Sequence, residues 1–281
     1  VAVNRSTGDF VAVWEDDSSA EDGILGSSED CDQDCKDSLG AERGRGNRDI
    51  KARIFCASGC SSIPEFTVNK KTKGDQLNPD VAINKHGNFV VVWQNDKSGI
   101  GNYQVYARGF RSNGQGDLFD QNSAEADKQV TVVVNTVASG QQTMPAVALA
   151  HSGKFVVAWH DKRKASKPAQ VFIRGLDSKN MTCEVEDDCK SSSSYVGKAF
   201  FDQKNVLDSA DADKGPATEP DIAMDKDGNF VVVWADDQDN NGKYTIKARR
   251  FKADGSANGK VFTIAAPSSS SRYRQPPLCL P

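Results

Sequence analysis

Each of the four tryptophans closes the same five-residue phrase. It reads Phe10-Val11-Ala12-Val13-Trp14, Phe89-Val90-Val91-Val92-Trp93, Phe155-Val156-Val157-Ala158-Trp159 and Phe230-Val231-Val232-Val233-Trp234. Every copy has a glycine just ahead of its phenylalanine, separated from it by a single residue: Gly8, Gly87, Gly153 and Gly228. Self-similarity at nearly even intervals along the chain marks a repeat architecture, in which neighbouring units bury each other's faces.

Two further offsets recur. Pro79, Pro145 and Pro220 precede Trp93, Trp159 and Trp234 by one constant distance, and Arg108, Arg174 and Arg249 follow the same tryptophans by another. In the first unit the matching arginine is Arg53, much farther from Trp14, so an insertion lies between them. The arginines sit in similar segments, of which Val105-Tyr106-Ala107-Arg108-Gly109-Phe110 and Ile246-Lys247-Ala248-Arg249-Arg250-Phe251 are two.

Each unit reads as four short strands. The first is Asp80–Ile83, with counterparts around Val147–Leu149 and Ile222–Met224; a glycine turn leads into the Phe-to-Trp strand. That second strand is continuously apolar, as expected where both faces are covered. The third carries the arginine and alternates. The fourth is sought at Phe66–Asn69, Val132–Asn135, Val206–Leu207 and Val261–Ile264. Four such units favour an all-β fold, a β-propeller of four recognisable four-stranded repeats, complete or part of a larger ring. Tandem small β-sandwiches are the alternative. A single repeat domain spans 1–281, with units at 1–78, 79–144, 145–219 and 220–276 and a possible extra or closing strand at 277–281.

The string Asn69…Gln76…Pro79-Asp80-Val81-Ala82…Gly87-Asn88-Phe89-Val90-Val91-Val92-Trp93…Tyr106-Ala107-Arg108-Gly109-Phe110 resembles a repeat of large secreted or surface proteins of bacteria. Its consensus runs "VN…Q..P.VA…DG.FVVVW…D…Y.VYAQRF…G". The resemblance covers nearly the whole chain apart from the insertions. It implies an extracellular or cell-surface location and adhesin-like or calcium-rich settings, more than any one activity.

A net charge of −4 and a pI near 5.5 argue against nucleic acid as a partner. No apolar run approaches the roughly 20 residues that span a bilayer as a helix. Seven cysteines avoid the repeat strands. Cys31 and Cys35 lie in the first insertion, Cys56 and Cys60 follow the first arginine strand, and Cys183 and Cys189 lie in the third unit's insertion. Paired cysteines in polar loops fit disulfides in an oxidising compartment, with Cys31, Cys35, Cys56 and Cys60 bonding among themselves; a zinc site of these four is the competing arrangement. Cys279 is left over, and a C-terminal stretch from Gln275 to Leu280 reads as the opening of a further unit. Processing from a longer chain and self-association through open sheet edges are both expected.

Acidic residues follow each tryptophan, the richest group being Asp236, Asp237, Asp239 and Asn241, an oxygen-only set of the kind Ca2+ prefers. Asp208, Asp211 and Asp213 form a weaker group. Because such acids recur in every unit, the competing role is structural, the first one pairing with the recurring arginine. The tryptophans Trp14, Trp93, Trp159 and Trp234 and the arginines Arg53, Arg108, Arg174 and Arg249 are expected to pack, although an arginine over a tryptophan would also make a cation–π pair. Tyr103, Tyr195, Tyr244 and Tyr273 are available to stack on sugar rings. With only His86, His151 and His160, and no Ser-His-Asp order, HExxH, nucleophile elbow or phosphate loop, catalytic motifs are missing. The turns also lack the Ser-x-Asp-x-Gly-x-Thr-Trp box of sialidase-like propellers.

These features point to a non-catalytic extracellular propeller for binding, adhesion or surface structure, with glycans or other surface proteins as partners. The alternative is a secreted carbohydrate-active enzyme, a glycosidase or lyase, with paired carboxylates at the propeller mouth. An inward-facing pair of carboxylates about 5 to 9 Å apart in one pocket would discriminate in favour of the enzyme, and four near-equivalent blades with no deep polar pocket in favour of the scaffold.

Overall fold

The computed structural model describes residues 1–17, 48–59, 61–70, 74–96, 101–112, 114, 131–178, 199–207 and 214–266. Within them every regular element is a strand. Blade 1 comprises β1 (Ala2–Val3), β2 (Phe10–Asp16), β3 (Asp49–Phe55) and β4 (Ser61–Thr67). Blade 2 comprises β5 (Gln76–Ile83), β6 (Phe89–Asn95), β7 (Gln104–Phe110) and β8 (Thr131–Val133). Blade 3 comprises β9 (Gln141–Leu149), β10 (Lys154–Lys162), β11 (Gln170–Asp177) and β12 (Ala199–Asn205). Blade 4 comprises β13 (Ala217–Met224), β14 (Phe230–Asp236), β15 (Thr245–Phe251) and β16 (Phe262–Ala265).

Each blade is an antiparallel meander in sequence order, and the first strands of all four line one cavity on a common axis. The fold is a β-propeller. Sandwiches are excluded because each unit is a single sheet packed on its neighbours. Two boundaries differ from the sequence expectation. The expected unit starts at 79, 145 and 220 fall inside β5, β9 and β13, because each first strand begins before its proline and crosses a bulge there. In blade 3 the fourth strand is Ala199–Asn205, and Val206 and Leu207 follow it as buried residues facing blade 4.

The continuous apolar run of the second strand is explained by burial on both faces. Phe89 through Asn95 are all buried, and Trp93, Trp159 and Trp234 are at most 1% exposed. Trp159 Nε1 donates to Asp161 at 3.1 Å and Trp234 Nε1 to Asp236 at 3.0 Å. Blade 2 has Asn95 at this position, and Trp93 Nε1 finds no partner among the described residues. Blade 1 is less covered: Trp14 is only part-buried, and Val1 and Val3 are exposed, as are Phe262 and Ile264 in blade 4.

The recurring arginine is an inter-blade bolt. Arg108 Nη1 donates to Val68 O at 2.5 Å, Arg174 Nη1 to Val134 O at 2.8 Å and Arg249 Nη1 to Val206 O at 2.8 Å. Each acceptor lies just beyond the outermost strand of the preceding blade. The expected pairing with the acid after the tryptophan is therefore corrected: Asp161 binds Arg163 and Asp236 binds Lys247, while the arginine reaches across to the next sheet. The cation–π partner also differs from expectation. Arg53, Arg108 and Arg249 lie over Phe55, Phe110 and Phe251 of their own strands rather than over tryptophan. A backbone bond repeats beside each bolt: Gln76 N to Arg48 O, Gln142 N to Tyr103 O and Ala217 N to Ala169 O, at 2.9 to 3.0 Å.

The tryptophans are structural in this setting. Trp93→Ala is expected to cost about 3–5 kcal/mol in chemical denaturation, the range of large-to-small aromatic core changes. A finer comparison isolates the indole hydrogen bond. Trp159→Phe should cost about 1 kcal/mol more than Trp93→Phe, because only the former loses a made bond and leaves a buried carboxylate oxygen short of a donor.

Candidate active site

Three of the four first strands bend at the same place, and the bends surround one end of the propeller axis. Asn78, Met144 and Glu219 each precede the recurring proline and have φ of 49°, 52° and 51°. Left-handed backbone is costly for residues with a Cβ and is found where surrounding structure enforces it. The register shifts at the same points, between Leu77 and Asp80 in β5 and between Thr218 and Asp221 in β13. A bulge of this kind turns the following side chain out of the plain alternation of the strand.

The bend is held by the preceding blade. Asn78 N donates to Glu15 Oε1 at 2.8 Å, and Met144 N donates to Gln94 Oε1 at 3.1 Å. Glu15 and Gln94 both directly follow their tryptophan, so in blades 1 and 2 the residue after the tryptophan anchors the next blade's bulge. Glu15 is itself held by Arg48, which also binds Asp75. His160 occupies the corresponding position after Trp159. Its Nδ1 is buried without a hydrogen-bond partner among the described residues, and burial lowers its pKa.

The three bends line a cavity of about 490 Å³ formed by Asn78, Pro79, Asp80, Met144, Pro145, Ala146, Glu219, Pro220 and Asp221. Asp80 and Asp221 are equivalent residues of blades 2 and 4, separated by Ala146 of blade 3, and Glu219 adds a third carboxylate. Asp80 accepts from Val147 N at 2.8 Å, and Asp221 accepts from Ile222 N at 2.7 Å.

Asp80 is pushed up to about 6. Desolvation within the ring is the chief cause, opposed by hydrogen bonds from the backbone of Val147 and Val81, while the charge of Asp221 raises it further and the N-terminus lowers it. The residue is enclosed by protein yet keeps some surface toward the cavity, so cavity water moderates the full effect. A carboxyl in this range holds its proton part of the time near neutral pH and can deliver it to a bound molecule.

The sequence-nominated residues lie elsewhere. Asp237 accepts from Asn241 N at 2.9 Å and Gly242 N at 3.0 Å, and Asn241 Nδ2 donates to Asp239 at 2.6 Å, so this group is a closed turn at the end of β14. Asp236 is buried on Trp234 and Lys247. Among the described residues no group of three or more His, Cys, Asp or Glu is arranged around a common metal position. Cys56 is disulfide-bonded, with its partner outside the described residues; Cys31, Cys35, Cys60, Cys183, Cys189 and Cys279 lie outside them too, as do Asp208, Asp211, Asp213, Tyr195 and Tyr273. Asp80, Glu219 and Asp221 were not singled out by the sequence. The available signal was the acid next to the recurring proline, present in two units and replaced by Ala146 in a third.

No protein-family model matches the chain, and no curated protein matches it in sequence. Solved structures do resemble it. An N-acetylgalactosamine deacetylase from F. plautii shares 11% identity, with 78% of this chain and 66% of that one covered and a TM-score of 0.41. An endo-1,4-beta-xylanase from Bacteroides thetaiotaomicron shares 9%, covering 76% and 72%, with a TM-score of 0.41. A thermostable family-43 glycoside hydrolase shares 12%, covering 82% and 74%, with a TM-score of 0.37. The chain thus spans slightly under two thirds of the deacetylase, and the likeness concerns the fold. The expectation of a non-catalytic module for binding, adhesion or surface structure is corrected here. The solved structures of similar fold are enzymes that act on carbohydrates, and Asp80, Glu219 and Asp221 line one cavity at the mouth.

Burial of Asp80 has a cost that depends on pH. With its folded value above the ordinary 3.8, the native state binds more protons than the unfolded chain between about pH 4 and 6, so stability falls as pH rises through that window. The loss is complete above it and amounts to about 3 kcal/mol at most, less for residual solvation by cavity water. Asp80→Asn keeps an acceptor for Val147 N and removes the charge. It is expected to stabilise the protein at pH 7.5 by about 1–2 kcal/mol and to leave it nearly unchanged at pH 4, as read by urea denaturation at both pH values.

Proposed function

We propose that this chain is the propeller of a secreted carbohydrate-active enzyme, with its catalytic site at the mouth bounded by Asn78, Met144 and Glu219. The observation that carries this reading is that Asp80, Glu219 and Asp221 line one cavity, with burial raising the pKa of Asp80 and the Asp221 charge adding to it. Two carboxylates in different environments are what hydrolysis of a glycosidic bond requires. In this reading protonated Asp80 is the general acid, delivering its proton to the leaving oxygen as the bond to the anomeric carbon breaks. Asp221 stabilises the positive charge that develops on the sugar, either by activating water or by direct attack. Glu219, fixed by its strained backbone, orients the sugar hydroxyls. Asn78 contributes an amide beside it, and exposed Met144 supplies an apolar platform.

Activity supported by Asp80 falls as pH rises through about 6, because deprotonation removes the general acid. The test is turnover of a panel of aryl pentosides and hexosides. Asp80→Asn should lower kcat on the best substrate by about 100- to 10,000-fold with little change in KM, while its melting temperature does not fall. A panel with no turnover, or an Asp80→Asn variant of full activity, contradicts the reading.

A further inference from the structure

The opposite end of the same first strands has the opposite electrostatic character. A cavity of about 660 Å³ opens there, lined by residues of all four blades. Ala2, Ala82, Ala148, Ile83, Leu149 and Met224 supply the apolar part of its walls. Its rim is built from the four turns that follow the first strands. Aligning the blades on their strand pairing places Arg5, Lys85, His151 and Lys226 at one equivalent position, each directly after the residue that ends its first strand's turn cap. All four are exposed and all four line the cavity.

The turns also consume their own acceptors. Asn4 Oδ1 accepts from Ser6 N at 3.0 Å, and Asn84 Oδ1 accepts from His86 N at 2.9 Å and Asn88 N at 3.2 Å. Asp225, the one carboxylate among the described residues that lines the cavity, accepts from Asp227 N and Asn229 N at 2.9 Å and from Asn229 Nδ2 at 3.0 Å. Those bonds, led by the Asn229 side chain, hold Asp225 below the usual carboxylate range and direct its oxygens into its own turn. Lys226 also touches Asp227 at 2.9 Å, an exposed pair that is screened by water and salt. The opening is lined by exposed donors of all four blades, three of them cationic (Arg5, Lys85 and Lys226), an arrangement that focuses a positive potential on it.

We propose that this second mouth binds an oxyanion, a sulfate, phosphate or carboxylate group, on the propeller axis between Arg5, Lys85, His151 and Lys226. The site is distinct from the carboxylate mouth and does not depend on that mouth being catalytic. A single anion on the axis accepts from several blades at once, which no one turn could arrange. Two sources share this chemistry, a free inorganic oxyanion and an acidic glycan.

Calorimetric titration of the full chain with inorganic sulfate, and separately with a heparin hexasaccharide, tests the site at low salt. Binding of sulfate assigns a small inorganic oxyanion; binding of the hexasaccharide alone assigns an acidic glycan. In either case affinity should fall as salt is raised, and Lys85→Ala/Lys226→Ala should weaken it at least tenfold. Both lysines are exposed, so the variant's melting temperature and circular-dichroism spectrum serve as folding controls. Failure of both probes to bind, or equal binding by the double variant, overturns the proposal.

Discussion

The guanidinium of one blade binding the last carbonyl of the blade before it is the contact on which the rest of the architecture depends. A sheet that ends its outermost strand in the middle of a protein leaves backbone acceptors with nowhere to go, and a buried unpaired carbonyl is costly. Arg108, Arg174 and Arg249 answer that need three times with the same atom. The arginine comes from the third strand and the acceptor lies just after the previous blade's fourth strand, so the bond ties each blade to the one before it. It is supported by the neighbouring backbone bonds from Gln76, Gln142 and Ala217. Each guanidinium of Arg108 and Arg249 also lies over a phenylalanine of its own strand, Phe110 or Phe251.

Once the blades are tied together, the two ends of the axis follow. The first strands are brought close together, which is why a small residue recurs at Ala2, Ala82, Ala148 and Ala223. At one end three of the four strands accommodate a proline and bulge before it, and in blades 2 and 3 the bulge is locked by Glu15 or Gln94 of the preceding blade. At the other end each strand closes in a tight turn. Gly87, with φ of 80°, shows why: a Cβ there would stand 2.7 Å from that of Ser112. The bulged end collects acids and the turned end collects bases, giving one axis with two chemically different openings.

Much of the fold was legible because it repeats. Constant spacing of Trp, Arg, Gly and Pro identified four sheets, and the unbroken apolar run of the Phe-to-Trp strand identified the one covered on both faces. What the arginines bind was not legible, since a carbonyl has no sequence signature; acids near by in sequence, such as Asp161 and Asp236, invited the wrong pairing. The site was missed for a related reason. Attention to dense acidic clusters selected Asp236 to Asn241, whose oxygens satisfy their own turn. Asp80 and Asp221, by contrast, are single acids of different blades, far apart in the sequence, that meet only when the ring is assembled. Their significance comes from departure from the repeat: Ala146 stands where two other blades carry an acid.

The central claim is that the packing of blades 2, 3 and 4 raises the proton affinity of Asp80 well above that of an ordinary carboxyl. Carbon-detected NMR titration of the Asp80 carboxyl in the intact chain measures this directly. A midpoint near 6 that moves down when Asp221 is replaced by Asn is the predicted result, since desolvation and the Asp221 charge both act on it. A midpoint close to the ordinary 3.8, unmoved by Asp221→Asn, would contradict the account.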